Sequence, residues 1–366
     1  MLSPTLHLPF ERFRPSHCAS YFAGWENTHN HLTGRREKLK TAIKLAAALS
    51  CALIAGTGQI VHATEGGQFY GPIGGVDQRA SLIPPPGTYG RLRYVTVSAP
   101  QLSGLDDEPS PYVDDFDLTV TLYNFSLIKV WDRELFGGRW ASIWSSSFSN
   151  NELSTNGSGD STFAFHDSYF EPIFWGKYLG LAGAKPPSPD PSTWTMRYGL
   201  SISAGVAFNL PTGNYKVGRK SQTSSNTTII IPHMDMTYQT GPWWADGTEF
   251  SARLSYNIST KNDDTGYQSG DVIGLDASVS QRFGNWQIGP SLTVAKQITD
   301  DDSENPLVKA SFQNGNKFTL VQPGIVFTRS FPKKRMSASF KVVTDAYVEN
   351  RIDVDHGFIA AIGFTF

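Results

Sequence analysis

From His356 to Phe366 the chain alternates without a break. Phe358, Ala360, Ile362, Phe364 and Phe366 fall on one face of a strand, and Gly357, Ile359, Ala361, Gly363 and Thr365 fall on the other. The apolar face runs to the final aromatic residue. At the edge of a soluble sheet such a strand is a template for aggregation. In a barrel closed within a membrane, the last strand pairs with the first, the apolar face meets lipid and no edge remains. The alternative at this point is an ordinary buried terminal strand.

Composition is compatible with a barrel. Charged residues make up 17% and aromatics 13% of 366 residues, with 34 glycines. Mean hydropathy is -0.27, which flags no membrane protein. Lipid-facing and lumen-facing residues alternate in a barrel, so they cancel in such an average.

The N-terminal region reads as an export signal. Arg35, Arg36, Lys38, Lys40 and Lys44 precede an apolar run from Leu45 to Gly56, and Val61-His62-Ala63 offers a small-residue cleavage site. The run is shorter than the roughly 20 apolar residues a spanning helix needs. Residues 1–34 are therefore expected to be an N-terminal extension, consistent with a start called too far upstream. Residues 35–63 are expected to be the signal peptide, 64–87 a separate Gly/Pro-rich segment, and 88–366 the barrel. Cys51 lies behind a poor lipoprotein signal. Both cysteines, Cys18 and Cys51, precede the cleavage, so the mature chain forms no disulfide and no cysteine metal site. It keeps 24 Lys/Arg and 30 Asp/Glu, a net charge of -6, which is not the balance of a nucleic-acid binder.

Strand-like alternation recurs through the mature chain, punctuated by Gly, Pro, Asn and Asp clusters. Twelve strands are expected near 88–98, 117–129, 138–148, 163–175, 196–209, 228–240, 248–258, 271–283, 286–297, 316–329, 335–348 and 356–366. Those at 196–210, 250–258 and 271–283 alternate cleanly; 138–148, 163–175 and 316–329 do so poorly. Long polar connections at 99–116, 149–161, 211–227, 259–270, 298–315 and 349–355 take turns with short ones, as expected when loops and turns collect at opposite ends of a barrel. The Pro-rich stretch 176–195 is the long exception. Acidic loops (Asp106-Asp107-Glu108, Asp263-Asp264, Asp300-Asp301-Asp302) are solvated or bridge divalent cations. Residues 64–87 lack any regular pattern. Their Phe69, Tyr70, Leu82 and Ile83 need burial, which points to a lumen hatch; a loose tail is the alternative.

The ordered motifs carry a resemblance. They begin with Ala63-Thr64-Glu65-Gly66-Gly67 and Pro84-Pro85-Pro86-Gly87, then Asp167 with Glu171-Pro172-Ile173-Phe174-Trp175. Leu210-Pro211-Thr212-Gly213-Asn214-Tyr215, Asn262-Asp263-Asp264-Thr265-Gly266-Tyr267-Gln268-Ser269-Gly270, Thr299-Asp300-Asp301 and Glu349-Asn350-Arg351 follow. Together they resemble the outer-membrane family named for the meta-pathway of phenol degradation. His166, where the family pattern has Gly, and the enlarged Pro-rich segment depart from it. The resemblance implies a barrel in the bacterial outer membrane associated with uptake of aromatic or other apolar compounds. It also makes the last strand, ending in Phe366, similar to the signal read by the outer-membrane assembly machinery.

Catalytic motifs are nearly absent: there is no Gly-x-Ser-x-Gly, Walker loop or His-Glu-x-x-His. His166, His233 and His356 are dispersed, so no metal site and no cofactor is expected. His166-Asp167-Ser168 resembles the His/Ser pair of outer-membrane phospholipases, but Tyr169 and Phe170 follow where that pattern has Asn and Gly. Ionisable residues on polar strand faces are better candidates. Arg197, Arg253, Asp276, Arg282, Lys341, Asp345 and Glu349 are expected to point into the lumen, because a mid-depth Arg or Lys facing lipid costs about 2–4 kcal/mol. They either neutralise one another or form a constriction. Trp131, Trp175, Trp243, Trp244 and Trp286 read as an interfacial girdle. The sequence therefore predicts an all-β, transmembrane antiparallel barrel of about twelve strands. Its expected partners are membrane lipid, the assembly machinery and a small apolar or aromatic solute, and no nucleic acid. The remaining readings are a structural or surface-interaction barrel and, remotely, a phospholipase.

Overall fold

The computed structural model describes residues 74–180, 198–242 and 245–366. Twelve strands follow one another in chain order: β1 (Gly87–Ala99), β2 (Asp117–Val130), β3 (Arg139–Thr155), β4 (Ser168–Gly180), β5 (Gly199–Leu210), β6 (Ile229–Gln239), β7 (Thr248–Ser259), β8 (Val272–Phe283), β9 (Trp286–Gln297), β10 (Thr319–Phe331), β11 (Met336–Val343) and β12 (His356–Thr365). Each pairs antiparallel with its sequence neighbours. β12 then pairs back onto β1, from Tyr89 opposite Thr365 to Ser98 opposite His356, and the sheet closes. No helix among the described residues is long and apolar enough to cross a membrane; here strands do the crossing. The proposed signal peptide lies outside the described residues, as does 181–195 of the Pro-rich stretch.

Alternation decides which face meets what. Phe125, Leu127, Phe250, Leu254, Ile273, Leu275, Phe340 and Ile362 are exposed large apolar residues on the outer wall. Their partners in alternation, such as Ser126, Ser251, Arg253, Gly274 and Lys341, turn inward. In solvent this belt would be untenable, whereas against lipid tails it costs nothing. Of the tryptophans expected to form a girdle, Trp131, Trp175 and Trp286 lie toward the short-turn end. Trp131 stacks on Trp140 with ring centroids 5.1 Å apart, and the Arg329 guanidinium lies 4.8 Å from the Trp286 ring. Trp243 and Trp244 lie outside the described residues.

The closing seam has one tight point. At Gly90, opposite Phe364 in the register, a Cβ would come within 2.5 Å of the Phe364 ring. The ring covers the glycine, so β1 accepts the aromatic side chain of β12 where any other residue would collide with it.

Three sequence expectations need correction. The connection expected at 149–161 is largely strand. β3 continues to Thr155, turns at Asn156 and Gly157, both with positive φ, and returns as a strand arm, Ser158–Phe165, paired to β3 alone. Asn-Gly is the usual two-residue hairpin turn. The strand expected at 163–175 therefore merges the end of this arm with β4, which starts only at Ser168. The strand expected at 335–348 ends at Val343. Tyr347–Glu349 is a separate short strand on β10, so Asp345 and Glu349 lie beyond the membrane-crossing part of β11.

β4 itself is irregular. Its ladder to β3 shifts between Ala141 and Ile143, and its ladder to β5 shifts between Phe170 and Ile173. Pro172 falls in both gaps. With no N–H to donate, it forces a bulge on each flank. Tyr169, Glu171 and Phe174 all reach the lumen as a result, and the local alternation is lost.

At the long-loop end, apolar clusters bind the loops to the rim. Ala99, Leu102, Phe116, Leu118, Leu153, Ile352 and Val354 form one, and Val272, Ala295, Phe318, Leu320 and Val348 another. Asp301 accepts hydrogen bonds from Gly270 N–H (2.8 Å), Gln297 (2.7 Å), Asn316 (2.7 Å) and the Tyr267 hydroxyl. One member of the acidic loops is thus a buried anchor.

Candidate functional site: the lumen wall and the segment lying on it

Residues 74–86 run inside the barrel before entering β1. Gly74 N–H donates to Asp276 Oδ1 on β8 (2.9 Å), Arg79 N–H to Glu249 Oε1 on β7 (2.7 Å) and Ala80 N–H to Ser251 Oγ (2.8 Å). Ser81 N–H donates to Thr237 Oγ1 on β6 (3.1 Å), and its hydroxyl donates to the Ser201 carbonyl on β5 (2.9 Å). Ile83 is buried against Val130, Ala141 and Phe174. Lys341 on β11 pairs with Asp77 at 2.6 Å. The segment is thus spread across the inner wall from β11 round to β3. Gly and Pro suit it, because it forms no ladder of its own and lends its backbone donors to wall side chains. Of the residues expected to need burial, Phe69 and Tyr70 lie outside the described residues.

A polar network lines β4 to β7. His233 Nε2 lies 2.8 Å from Glu171 Oε1, and its Nδ1 lies 3.2 Å from Asp235 Oδ2. Tyr169 donates to Glu171 Oε2 (2.7 Å), Ser203 donates to Asp235 (2.7 Å), and Arg253 pairs with Asp235. The side chains of Glu171, His233 and Asp235 are inaccessible to solvent. Removing one partner from such a buried set strands the other charges at a cost of about 3–5 kcal/mol. The network therefore fixes the inner wall rigidly on this side. Gly205 makes room for it: a Cβ there would lie 2.2 Å from Glu171 Oε1.

Four of the seven sequence candidates line the lumen. Arg253 joins the network above, and Asp276 holds Gly74 and Thr293. Lys341 holds Asp77. Arg282 is buried near the short turns, donating to the Asp246 carbonyl (3.1 Å) with its guanidinium 5.4 Å from the Tyr198 ring centroid. Arg197 lies outside the described residues. Asp345 is a loop anchor, accepting from Gln322 (2.7 Å) and Val354 N–H (2.8 Å). Burial pushes its carboxyl above the ordinary carboxylate range. Glu349 sits in the loop layer, where Asp106 N–H approaches it at 3.4 Å.

Several lumen residues were missed from the sequence. Arg91 and Arg93 on β1 face inward, and their i, i+2 spacing next to exposed Leu92 and Tyr94 was the available signal. Asp235 between Met234 and Met236 carried the same signal. Glu171 had none, since the Pro172 bulge hides its face. His166 and Asp167 fall in the break before β4, and Ser168 is its first residue. Ser168 Oγ contacts the hydroxyls of Ser146 (3.1 Å) and Thr212 (2.8 Å), while Asp167 accepts from Gly213 and Ser225 N–H.

The family profile described as "Putative MetA-pathway of phenol degradation" matches residues 103–359, well over half of the chain, and the chain belongs to that family. No curated sequence relative matches it. Among solved structures, the chain is similar to the COG4313 outer membrane channel from Pseudomonas putida F1. The TM-score is 0.64 at 14% identity, covering 80% of this chain and 100% of that one. The beta domain of the Bordetella autotransporter BrkA gives 0.43 at 11% identity, over 76% of this chain and 100% of that one. The transport unit of the Escherichia coli autotransporter AIDA-I gives 0.41 at 10%, over 76% and 90%. The protein is a twelve-stranded barrel of the bacterial outer membrane.

Proposed function

We infer that this barrel is a channel for passive, energy-independent entry of small apolar or aromatic compounds. The observation that carries the reading is how residues 74–86 lie against the inner wall. Residues 74–86 rest on the wall through separate hydrogen bonds and one ion pair, with an apolar cluster around Ile83. Each bond to a polar wall can be exchanged for one to water at a net cost of about 0.5–1.5 kcal/mol. Such a closure is displaceable, as a hatch must be. A barrel with a purely structural role would gain more from wall side chains meeting in an apolar core. Family membership, and the channel named in the similar Pseudomonas structure, support the same class.

Passage then needs no cofactor and no catalytic group. The wall supplies hydrogen-bonding partners that replace water around the polar end of a solute, and the concentration gradient drives net flow. The test is permeation of phenol against a polar sugar in liposomes carrying the protein, with empty liposomes as control. It is repeated with residues 64–86 deleted. Faster phenol entry, rising further on deletion, is the expected result. Silence of both forms would make the barrel a structural or surface-binding element.

A further inference from the structure

Asp77 and Arg79 lie two residues apart on the inserted segment and meet walls of opposite charge. Arg79 N–H bonds to Glu249, and its guanidinium donates to Gln287 at 2.8 Å. Asp77 meets Lys341, which also donates to the Gly74 carbonyl at 3.3 Å. Asp77 further lies within electrostatic reach of Arg91 and Arg93. These three cations flank one strand. In the register Arg91 stands opposite Gly363, Arg93 opposite Ala361, and Lys341 opposite Ile359. The cations of β1 and β11 therefore straddle an uncharged strip of β12, about 10 Å across at the usual strand spacing. Gly363 and Ala361 leave that strip nearly flat. Arg93 Nε is buried there without a hydrogen-bond partner, so Asp77 does not exhaust the donors of the site.

We propose that Arg91, Arg93 and Lys341 form a carboxylate site of the open lumen, filled by Asp77 while the segment is in place. It takes a small organic acid with a flat apolar body. The body lies on Ala361 and Gly363, and the carboxylate takes the place of Asp77 between Lys341 and the arginines. Charge-assisted pairing of this kind is roughly twice as strong as neutral hydrogen bonding. Three clustered cations left without an anion would repel one another, which is why the closed state supplies an aspartate of its own. The inference rests on the channel reading above and adds to it a binding site for solutes bearing an acid group.

The experiment records ion current through the full-length protein in planar bilayers. Benzoate or its neutral isostere benzamide is added to the wild type, Asp77→Asn, Asp77→Asn/Lys341→Met and Asp77→Asn/Arg93→Gln. Heat-dependent migration in gels confirms that each variant is a folded barrel. Asp77→Asn is expected to open the channel more often, and benzoate but not benzamide to reduce its current. Either second substitution then raises the benzoate concentration needed by about tenfold, equivalent to roughly 1.4 kcal/mol. Equal reduction by both compounds, or no effect of Lys341→Met and Arg93→Gln, would overturn the carboxylate site while leaving a working channel. An absence of current in every protein would overturn the site and the channel reading together.

Discussion

Gly205 is kept free of a side chain by its neighbours. Gly205→Ala would drive a methyl into Glu171 and His233, and relief requires the pair to separate. A loss of about 1–3 kcal/mol is expected, read as a lower temperature for the heat-dependent gel shift, with no change for an outward Ala204→Gly control. Arg253→Met removes the cation that balances Asp235 and Glu171 and should cost about 3–5 kcal/mol by the same assay. Asp345 gives a pH signature. Its carboxyl is raised in the folded protein by burial. Its contribution to stability is therefore complete below the ordinary carboxylate range, near pH 4, and fades as pH climbs through the raised value. The protection of Val354 N–H against hydrogen exchange, relative to its intrinsic rate at each pH, should rise on acidification through that window, and Asp345→Asn should abolish the rise.

Strands were legible wherever one face meets lipid and the other water. β7 and β8 were read within a residue at each end, and the end of β5 within one, because alternating runs such as Leu200, Ile202, Ala204 and Val206 leave no doubt about facing. The arm was not read. Above the lipid β3 buries Ser149, Asn151, Leu153 and Thr155 on one face, but most of these side chains are polar and show no hydrophobic alternation, so only Asn156-Gly157 marked the hairpin. β4 failed for a different reason, because Pro172 breaks the period inside the strand. The lumen residues were half legible: a lone charge between apolar neighbours reveals its face but not its partner. Arg253 was found without Asp235, and Lys341 without Asp77. Partners lie on other strands or on the inserted segment, and register between them is a property of closure. The seam makes an element-scale prediction. Gly90→Val collides with Phe364 and should weaken β1–β12 pairing by about 1–3 kcal/mol. The paired change Gly90→Val/Phe364→Ala should recover part of the loss, measured as the folded fraction by gel migration.

Charge is distributed along the whole barrel as well as across it. The loop end carries Asp106, Asp107, Glu108, Asp300 and Asp302, whereas the tight turn after β10 carries Lys333, Lys334 and Arg335. An ion therefore enters through surroundings of opposite sign at the two mouths. Current through Asp77→Asn should differ between the two polarities at low salt. The difference should fade near 1 M, where screening falls to about 3 Å.

The seam between β1 and β12 also has a consequence in time. β1 leaves the ribosome first among the strands and its partner leaves last: Tyr89 and its opposite number, Thr365, are 276 positions apart, with ten strands between them.

 Until β12 arrives, β1 has a row of unsatisfied backbone groups that no hydrocarbon can solvate. A chain cut short anywhere before His356 cannot close, whatever the quality of its other ladders. Closure thus works as a proofreading step: only a polypeptide delivered to its last strand can become a sealed cylinder, and a truncated one stays open at its edge and within reach of proteases.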